Sequence, residues 1–266
     1  MFLVSLSISF SWAFSSCRQT TSAFDCLIQE GSPFRTAARI PFKFNETILN
    51  MTSQVFSKVE FIEFTLSANV LRFGEFTTKA GRQSPYFFNT GLFIDGNSVS
   101  QLGRFYAQAI LNAGIEFDML YGPAYKGITL AASTAIALSS FDRNVPFAFN
   151  RQEVKNHGEG GSTIGAPVAG KVLIVDDVIS AGTSVRESIE VIEAYGGSPC
   201  GIVVSLDRQE RGMGSESAIQ EIEREFKVPV INLFCLDDLV NFLSTRTEMA
   251  NDLSRVRQYR EKYGAY

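Results

Sequence analysis

The sequence has little of what marks several large classes of protein. It contains four cysteines in 266 residues and no CxxC pair, which excludes a disulfide-rich scaffold and gives no indication of a zinc site. No stretch of about eighteen residues is continuously apolar, which argues against a membrane-spanning helix. The formal net charge of -4 gives no reason to expect nucleic acid as the main partner.

The residues that are present are those of an ordinary globular chain. Hydrophobic residues make up 45% of it and charged residues 20%. This length allows one substantial domain, or one domain with an appendage. Cys200 and Cys235 both lie in apolar, strand-like runs, where a buried free thiol is typical. Free thiols suit a reducing compartment, so we expect a cytoplasmic protein.

The first fifty residues differ in character from the rest. The opening MFLVSLSISFSWAFSS is apolar and ends in small residues like a secretory leader, but it lacks the preceding Lys or Arg. Three acidic residues disfavour a transit peptide, namely Asp25, Glu30 and Glu46. We expect residues 1–50 to be an unstructured leader or a mis-assigned start, with translation beginning at Met51, and residues 51–266 to form the folded domain.

From residue 51 onward, short apolar segments alternate with helical patterns. An opening helix is expected within 53–70, paired strands within 75–93, and a helix that Asn97 and Ser98 cap. Further strands are expected at 117–123, 146–150, 171–177, 199–208 and 228–234. This alternation predicts a parallel sheet covered by helices on both faces, with ligands bound at the C-terminal strand ends.

The segment VLIVDDVISAGTS, residues 172–184, ends one of these strands with two adjacent carboxylates, Asp176 and Asp177. A P-loop would need GxxxxGK[ST], and no lysine follows Gly182. A dinucleotide fingerprint would need GxGxxG, of which one glycine is present. A phosphoacceptor pocket could use paired acids but has no need for the hydroxyl-rich turn that follows.

The segment is best explained in two halves. Ser180 to Ser184 would wrap a phosphate at a helix N-terminus, where N–H groups and the helix dipole favour anions. The two carboxylates would repel that phosphate, but they suit a ribose diol and a cation developing on the sugar ring. A structural alternative is that Asp177 merely caps a turn. That alternative does not explain the whole thirteen-residue pattern.

The segment resembles the ribose-phosphate signature of the type I phosphoribosyltransferases, which use 5-phosphoribosyl diphosphate (PRPP). Four further segments follow the same order as in the bacterial orotate phosphoribosyltransferases: FGEFTTKAGRQSPYFFN, LYGPAYKGI, FNRQEVKNHGEGG and SLDRQERG. The resemblance covers about residues 55–262. It implies an α/β fold of the type I class, with a central, mainly parallel sheet flanked by helices and a small N-terminal hood that contains strands.

The resemblance also implies the reaction and its partners. The enzymes of this family join orotate to PRPP, giving orotidine 5′-monophosphate and pyrophosphate on the route to UMP. They use Mg2+, which is held mainly through PRPP rather than by a set of protein ligands. They form homodimers, so the segment 151–167 would reach the neighbouring site. Neither nucleic acid nor a membrane is an expected partner.

Residue roles are carried over from the family position by position. Matching positions for PRPP are Lys79, Tyr125, Lys126, Arg151, Gln152, Lys155, His157, Asp176, Asp177, Val178, Ile179, Ser180, Ala181, Gly182, Thr183 and Ser184. Matching positions for orotate are Phe87, Phe88, Ser180 and Arg208. The catalytic set is Asp176, Asp177, Lys79, Lys155 and His157.

Each of these assignments has a physical rationale. Gly122 and Gly127 would let the backbone approach an anion closely. An aromatic ring at Phe87 or Phe88 could stack on the pyrimidine, and the planar guanidinium of Arg208 suits a base that bears a carboxylate. Outside the family pattern, Lys79 and Lys126 would be taken as surface lysines and the two phenylalanines as sheet core.

The segment RQEVKNHGEGGST contains His157, the only histidine, and reads as a glycine-rich lid. Gln152 is a departure, because relatives usually carry a second basic residue there. Losing that charge should weaken pyrophosphate stabilisation by about 1 kcal/mol. We expect reduced electrostatic stabilisation at this loop, with activity retained.

Two alternatives share the ribose-phosphate signature. A phosphoribosyltransferase for another base would not require SPYFFN or LDRQERG. A PRPP-sensing regulator without catalysis would be expected to lose the loop bases and often to gain a nucleic-acid-binding segment. Here Arg151, Lys155 and His157 are present and no helix-turn-helix pattern is found. A fused decarboxylase is excluded by length.

Overall fold

The computed structural model describes residues 56–78, 80–155, 161–212 and 214–265. The expected leader, 1–50, therefore lies outside the described residues. None of the helices in the described ranges has both the length and the apolar character that crossing a bilayer would need.

Helices and strands alternate along the described chain, as the sequence predicted. The helices are α1 (Lys58–Ser67), α2 (Gly96–Ala113), α3 (Lys126–Ser139), α4 (Thr183–Ala194), α5 (Ala218–Phe226), α6 (Leu236–Ser244) and α7 (Ala250–Tyr263). The strands are β1 (Leu71–Thr77), β2 (Gln83–Phe88), β3 (Met119–Gly122), β4 (Phe147–Lys155), β5 (Gly161–Gly165), β6 (Gly170–Val178), β7 (Gly197–Asp207) and β8 (Val230–Cys235). Short 3-10 turns occupy Thr90–Leu92 and Thr247–Met249.

Six of the described strands form the central sheet, in the order β5-β4-β3-β6-β7-β8. All neighbouring pairs are parallel except β4 with β5, so β5 is an antiparallel edge strand. The chain runs outward from β3 to β4 on one side and from β6 to β7 and β8 on the other. The strand order therefore reverses between β3 and β6, which places a ligand crevice beyond the C-terminal ends of these two strands.

Two apolar layers enclose the sheet, because alternate residues of each strand face opposite sides. On β6, Leu173 and Val175 pack in the layer that holds α2 and α3, whereas Val172 and Ile174 pack in the layer that holds α4 and α5. All four side chains are fully buried. The near-continuous apolar run before Asp176 is thus explained by burial on both faces.

The predicted paired strands form an antiparallel hairpin, β1 with β2, which is separate from the central sheet. Its inner face joins the core through Tyr86 and Phe88, and α7 packs beside it. This hairpin is the hood that the family resemblance implied.

Two local predictions are corrected by the structure. Asp95, rather than Asn97 or Ser98, is the N-cap of α2, because its carboxylate accepts a hydrogen bond from the Ser98 backbone N–H while the Ser98 hydroxyl bonds back to Asp95. The segment after Asn150 was expected to be a loop. Instead β4 continues to Lys155 and pairs with β5.

Candidate active site

Asp176 and Asp177 end β6 at the point where the strand order reverses. Both residues are buried, and successive side chains of a strand leave it on opposite faces. Asp177 therefore faces the α3 side and Asp176 faces the α4 side, as their contacts below show. The two carboxylates were predicted together from adjacency alone, but the structure places them in different surroundings.

Asp177 is held from across the crevice. Lys126, the first residue of α3, donates a hydrogen bond of 2.5 Å from Nζ to Asp177 Oδ2. The hydroxyl of Thr90, which follows the hairpin, lies 3.3 Å from the same oxygen. The Lys126 side chain is 46% exposed, so it can reach solvent as well as the carboxylate. The ion pair between Lys126 and Asp177 therefore lies at the point where the strand order reverses between β3 and β6.

Asp176 is held on both carboxylate oxygens. The Asp177 backbone N–H donates to Oδ1 at 2.8 Å, and the Ser184 hydroxyl donates to Oδ2 at 2.9 Å. Behind it, the buried Tyr106 hydroxyl donates to the Asp176 carbonyl at 2.8 Å and lies 2.6 Å from the Ser205 hydroxyl. Burial, and next the negative charge of Asp177, raise the pKa of Asp176 from 3.8 to about 6.

The turn from Ser180 to Ser184 leads directly into α4. Gly182 is its N-cap with φ of 73°, and no side chain caps the helix. The first N–H groups of α4 are therefore directed at the crevice without a side-chain acceptor, which suits a phosphate. Ser180 and Thr183 are exposed there, whereas the Ser184 hydroxyl is turned to Asp176. The Ser184 hydroxyl thus holds the Asp176 carboxylate in this structure, and the phosphate-binding role of the turn Ser180 to Ser184 stays a prediction.

The outer side of this turn is braced by Arg186. Its Nη1 donates to the Ala181 carbonyl at 3.0 Å, and its Nε and Nη2 donate to Glu225 on α5. Ile179, which was also predicted at the PRPP site, is buried in the apolar layer. Ile179 therefore offers backbone atoms alone to a ligand.

The two glycines around Lys126 pack against each other. A Cβ on Gly122 would lie 2.0 Å from the Gly127 carbonyl oxygen, and a Cβ on Gly127 would lie 2.8 Å from the Gly122 carbonyl carbon. The structure thus gives these glycines a packing role, and the sequence interpretation that they admit an anion stays a prediction. Their close approach brings the start of α3 onto the end of β3, and the Asn150 side chain fixes the intervening loop by accepting from the Ala124 N–H at 2.6 Å.

Tyr125 lies between these elements, and its side chain is 70% exposed. It precedes the first residue of α3 and stands beside Lys126 at the mouth of the crevice. A large aromatic side chain left in solvent at a crevice mouth is available to a ligand.

Arg208 follows β7, the strand next to β6, with Leu206 paired to Val178. Its guanidinium lies over the Tyr86 ring at 4.2 Å from the centroid and donates to Ser84 and Glu210. Arg208 thus connects the end of the central sheet to the hairpin.

Phe87 and Phe88 alternate along β2 and so face opposite sides. The Phe88 ring packs edge-on against Phe234 in the core, while the Phe87 ring lies against Phe76 and Arg72. The Phe88 ring thus belongs to the core, and the expectation that an aromatic ring at Phe87 or Phe88 stacks on the pyrimidine stays a prediction. The chain after Phe88 nevertheless leads to Thr90 at the site.

Three of the remaining predicted PRPP residues lie on β4. Arg151 is half-buried on β4, and Gln152 and Lys155 follow it on the same strand. Lys79 and His157 lie outside the described residues. Their roles stay predictions.

Two contributors to the site were not identified from sequence. Thr90 stands in a short turn, and Tyr106 is a fully buried residue in the middle of α2. A tyrosine within an apolar helix face gives one signal, because a buried phenol usually has a hydrogen-bond partner. Thr90 gives no such signal, since its partner lies 87 residues away.

Comparison with known proteins identifies the family to which this site belongs. Residues 92–233 match the phosphoribosyl transferase domain. The orotate phosphoribosyltransferase of Thiobacillus denitrificans is 58% identical over 207 residues, which are 78% of this chain and 98% of that protein. This chain belongs to the orotate phosphoribosyltransferase family. Another member, from Klebsiella pneumoniae, is 57% identical over 77% of this chain and 97% of its own length.

Solved structures of the family agree with the fold. The crystal structure of orotate phosphoribosyltransferase from Francisella tularensis matches with a TM-score of 0.70 at 38% identity, covering 77% of this chain and 99% of that one. The enzyme from Aeropyrum pernix matches with a TM-score of 0.53 at 26% identity, covering 68% and 97%. The type I fold, with its mainly parallel sheet and separate hairpin, is confirmed.

Proposed function

We propose that this protein transfers the phosphoribosyl group from PRPP to orotate, giving orotidine 5′-monophosphate and pyrophosphate for UMP synthesis. A bond forms between ribose C1 and a ring nitrogen of orotate while the bond from C1 to pyrophosphate breaks, and the proton of that nitrogen passes to solvent or to the leaving pyrophosphate. The observation that carries the proposal is the crevice, in which paired carboxylates and an uncapped helix N-terminus follow β6, while Arg208 follows the adjacent strand β7. The identity of 58% to an orotate phosphoribosyltransferase supports it.

The carboxylates of Asp176 and Asp177 would oppose the positive charge that develops on the ribose ring. Charges preorganised in a buried site stabilise such a state strongly; one oxyanion donor contributes about 3 kcal/mol in a comparable case. Asp177 is paired with Lys126 in the free protein. When pyrophosphate enters, the half-exposed Lys126 can turn to it and release Asp177 for the ribose hydroxyls.

The 5′-phosphate would lie against the turn Ser180 to Ser184 and the first N–H groups of α4. Arg186 and Glu225 keep that turn in place from outside. Tyr125, Arg151, Lys155 and His157 would approach pyrophosphate, and Arg208 would contact the carboxylate of orotate. Lys79 completes the proposed catalytic set.

Mg2+ is the proposed cofactor, and the crevice fits it in part. Carboxylate oxygens are the ligand type that Mg2+ prefers, and the ion usually binds through substrate phosphates as well. In the described part of the chain no group of three or more His, Cys, Asp and Glu side chains is placed to hold a metal. By the family resemblance we assign Mg2+ mainly to PRPP oxygens, where it would neutralise charge on the leaving pyrophosphate.

We also propose the domain limits, the assembly and the location. Residues 51–266 form the phosphoribosyltransferase domain, and residues 1–50 contribute nothing to the site. The protein acts as a homodimer in which the segment 151–167 reaches the neighbouring site, which sedimentation velocity of the full chain tests. A cytoplasmic location is proposed from the free thiols of Cys200 and Cys235.

The deciding experiment follows orotate consumption by the full chain with PRPP and Mg2+, each omitted in turn. Consumption that requires both is expected. An Asp177→Asn variant should lower kcat by about a hundredfold, as removal of one preorganised group does elsewhere. Absence of orotate consumption, with PRPP binding intact and uracil or adenine consumed instead, would contradict the proposal.

A further inference from the structure

A charged cluster lies behind Arg208, where the hairpin, the end of β7 and helix α7 meet. Its centre is Glu210, whose Oε1 accepts hydrogen bonds from Arg208 Nε at 2.6 Å and from the Tyr259 hydroxyl at 2.9 Å. Its other oxygen, Oε2, accepts from Arg82 Nη1 at 3.4 Å. One carboxylate therefore binds two guanidinium groups and a phenol from three separate parts of the chain: the turn before β2, the segment after β7, and α7.

Three contacts determine the orientation of the Arg208 guanidinium. Glu210 holds one edge through Nε, and the Ser84 hydroxyl accepts from Nη2 at 2.9 Å. The plane of the group lies over the Tyr86 ring. The Ser84 hydroxyl is itself oriented, because it donates to the Tyr86 carbonyl at 2.7 Å. A planar group held at two edges and one face has a fixed direction.

The cluster keeps a net positive charge. Arg82 and Arg208 contribute two positive charges, and Glu210 contributes one negative charge. Tyr259 stays neutral, because burial, and next the charge of Glu210, raise its pKa to about 12. The nearest acid along the chain, Asp207, keeps its negative charge; it accepts a hydrogen bond from the Gln209 backbone N–H at 2.8 Å and forms no ion pair with either guanidinium in the described part of the chain. The side chains that bond to one another in the cluster thus sum to +1, which favours an anionic ligand group at a partly buried position.

Arg82 is anchored at the cluster independently of Arg208. Its Nη2 donates to the Arg211 carbonyl at 2.8 Å, and its guanidinium lies 5.0 Å from the centre of the Tyr263 ring. The Arg82 charge therefore stays beside Glu210 whatever Arg208 does. If Arg82 were absent, Glu210 would neutralise Arg208 completely.

We propose that Glu210 is a positioning residue that fixes Arg208 toward the acceptor base, and that Arg82 keeps this cluster positive so that the site selects a base bearing a carboxylate. The inference rests on the proposed function, since it explains how that site distinguishes orotate from an uncharged pyrimidine. Glu210 and Arg82 act through Arg208, without touching the reacting atoms.

The test measures dissociation constants for two nucleotides by calorimetry. Orotidine 5′-monophosphate and uridine 5′-monophosphate share the ribose 5′-phosphate and differ by the carboxylate on the base. A Glu210→Gln variant should bind orotidine 5′-monophosphate about tenfold more weakly, because a misaligned guanidinium loses a charge-assisted hydrogen bond. Its affinity for uridine 5′-monophosphate should change less than about twofold, since that ligand makes no such contact. In kinetics, KM for orotate should rise while KM for PRPP stays constant.

The matched control is Glu216→Gln, which removes another Glu–Arg pair on the segment after β7. Glu216 binds Arg224 at 3.0 Å, and both side chains are substantially exposed. This control should leave both affinities unchanged. Equal weakening of the two nucleotides in Glu210→Gln would overturn the proposal, because it would indicate a general structural role. Unchanged affinities for both would overturn it too.

A second variant covers the case in which Glu210→Gln fails to fold. Arg82→Gln removes the additional charge while leaving the pair of Glu210 and Arg208. It should selectively weaken orotidine 5′-monophosphate by about threefold to tenfold, and an unchanged preference between the two nucleotides would contradict the charge argument. The wild-type assay separates the two proposals. If the wild type consumes no orotate, the proposed function fails. If the wild type is active but Glu210→Gln leaves the affinities for both nucleotides unchanged, the inference alone is refuted.

Discussion

At the scale of single residues, the two adjacent acids of the site have different electrostatic environments. Asp177 is paired with Lys126, whereas Asp176 is held by an N–H group and a hydroxyl. Burial without a directly bonded cation penalises the ionised form of Asp176, which is why its pKa rises to about 6. The protein therefore carries a destabilising charge at neutral pH at the position that we propose faces the developing ribose cation.

This difference predicts a pH-dependent gain in stability for Asp176→Asn. A carboxyl with a raised folded-state pKa gives stability that is fully present below pH 3.8 and lost as pH rises through about 6. The amide of the variant does not ionise, so the variant does not lose this stability as pH rises. The free energy of unfolding of the variant, relative to that of the wild type, should therefore increase by up to about 3 kcal/mol as pH rises from 4 to 7. The activity of the variant should fall. Urea unfolding of both proteins at several pH values checks this, and a difference that is independent of pH would contradict it.

Gln152 gives a second prediction at this scale. Gln152→Lys should raise kcat or the affinity for PRPP by about fivefold, because an added cation near the leaving pyrophosphate contributes about 1 kcal/mol in a partly solvated site. Steady-state kinetics with PRPP varied measures the effect. Gln152→Met is the control, since it has similar size without a charge. If Gln152→Lys increases neither kcat nor the affinity for PRPP over the wild type, the assignment of position 152 to the pyrophosphate site is contradicted.

At the scale of elements, the site depends on how closely β3 and α3 approach each other. Gly122 and Gly127 leave no room for a side chain between the strand end and the first turn of the helix. Because Lys126 lies within that turn, the same contact determines where its ammonium group meets Asp177. Packing and electrostatics are thus coupled at this junction.

Gly122→Ala should destabilise the protein by at least about 3 kcal/mol, since the added methyl would lie 2.0 Å from the Gly127 carbonyl oxygen and the backbone would have to shift. Gly96→Ala is the matched control, because its Cβ would meet nothing within 4 Å at the start of α2. The control should be neutral or slightly stabilising. Thermal and urea unfolding compare the two, and similar stabilities would show that the packing explanation is wrong.

At the scale of the whole molecule, the described site is assembled from distant parts of one domain. The contacts on Asp177 come from Thr90 and Lys126, and the contacts on Asp176 come from Tyr106 and Ser184. The domain match spans residues 92–233, and relatives are matched over nearly their whole length by 207 residues of this chain.

A protein started at Met51 should therefore keep kcat, KM and Tm close to those of the full chain. The reason is that the contacts described at the site involve no residue before Arg72, and the described core begins with α1. Side-by-side kinetics and thermal unfolding of the two forms test this. A clear fall in Tm or kcat in the shorter protein would assign a role to residues 1–50.

The sequence by itself determined the fold class and the location of the turn that we propose binds the 5′-phosphate. Buried strands are recognisable in the sequence as apolar runs. In the segment 172–184, acids, small residues and the start of a helix follow one another directly. Such features are local, so periodicity and spacing are enough to predict them. The limits of individual elements were less well predicted, as the extension of β4 to Lys155 and the cap at Asp95 show.

Only the tertiary structure decided the partners of each site residue. The Tyr106 contact with Asp176 spans 70 residues, and the Arg82 contact with Glu210 spans 128. The core position of Phe88 and the opposite faces of the two acids follow from strand pairing and packing. Long-range contacts of this kind arise when elements pack together, and no local pattern in the chain specifies which side chains will then meet.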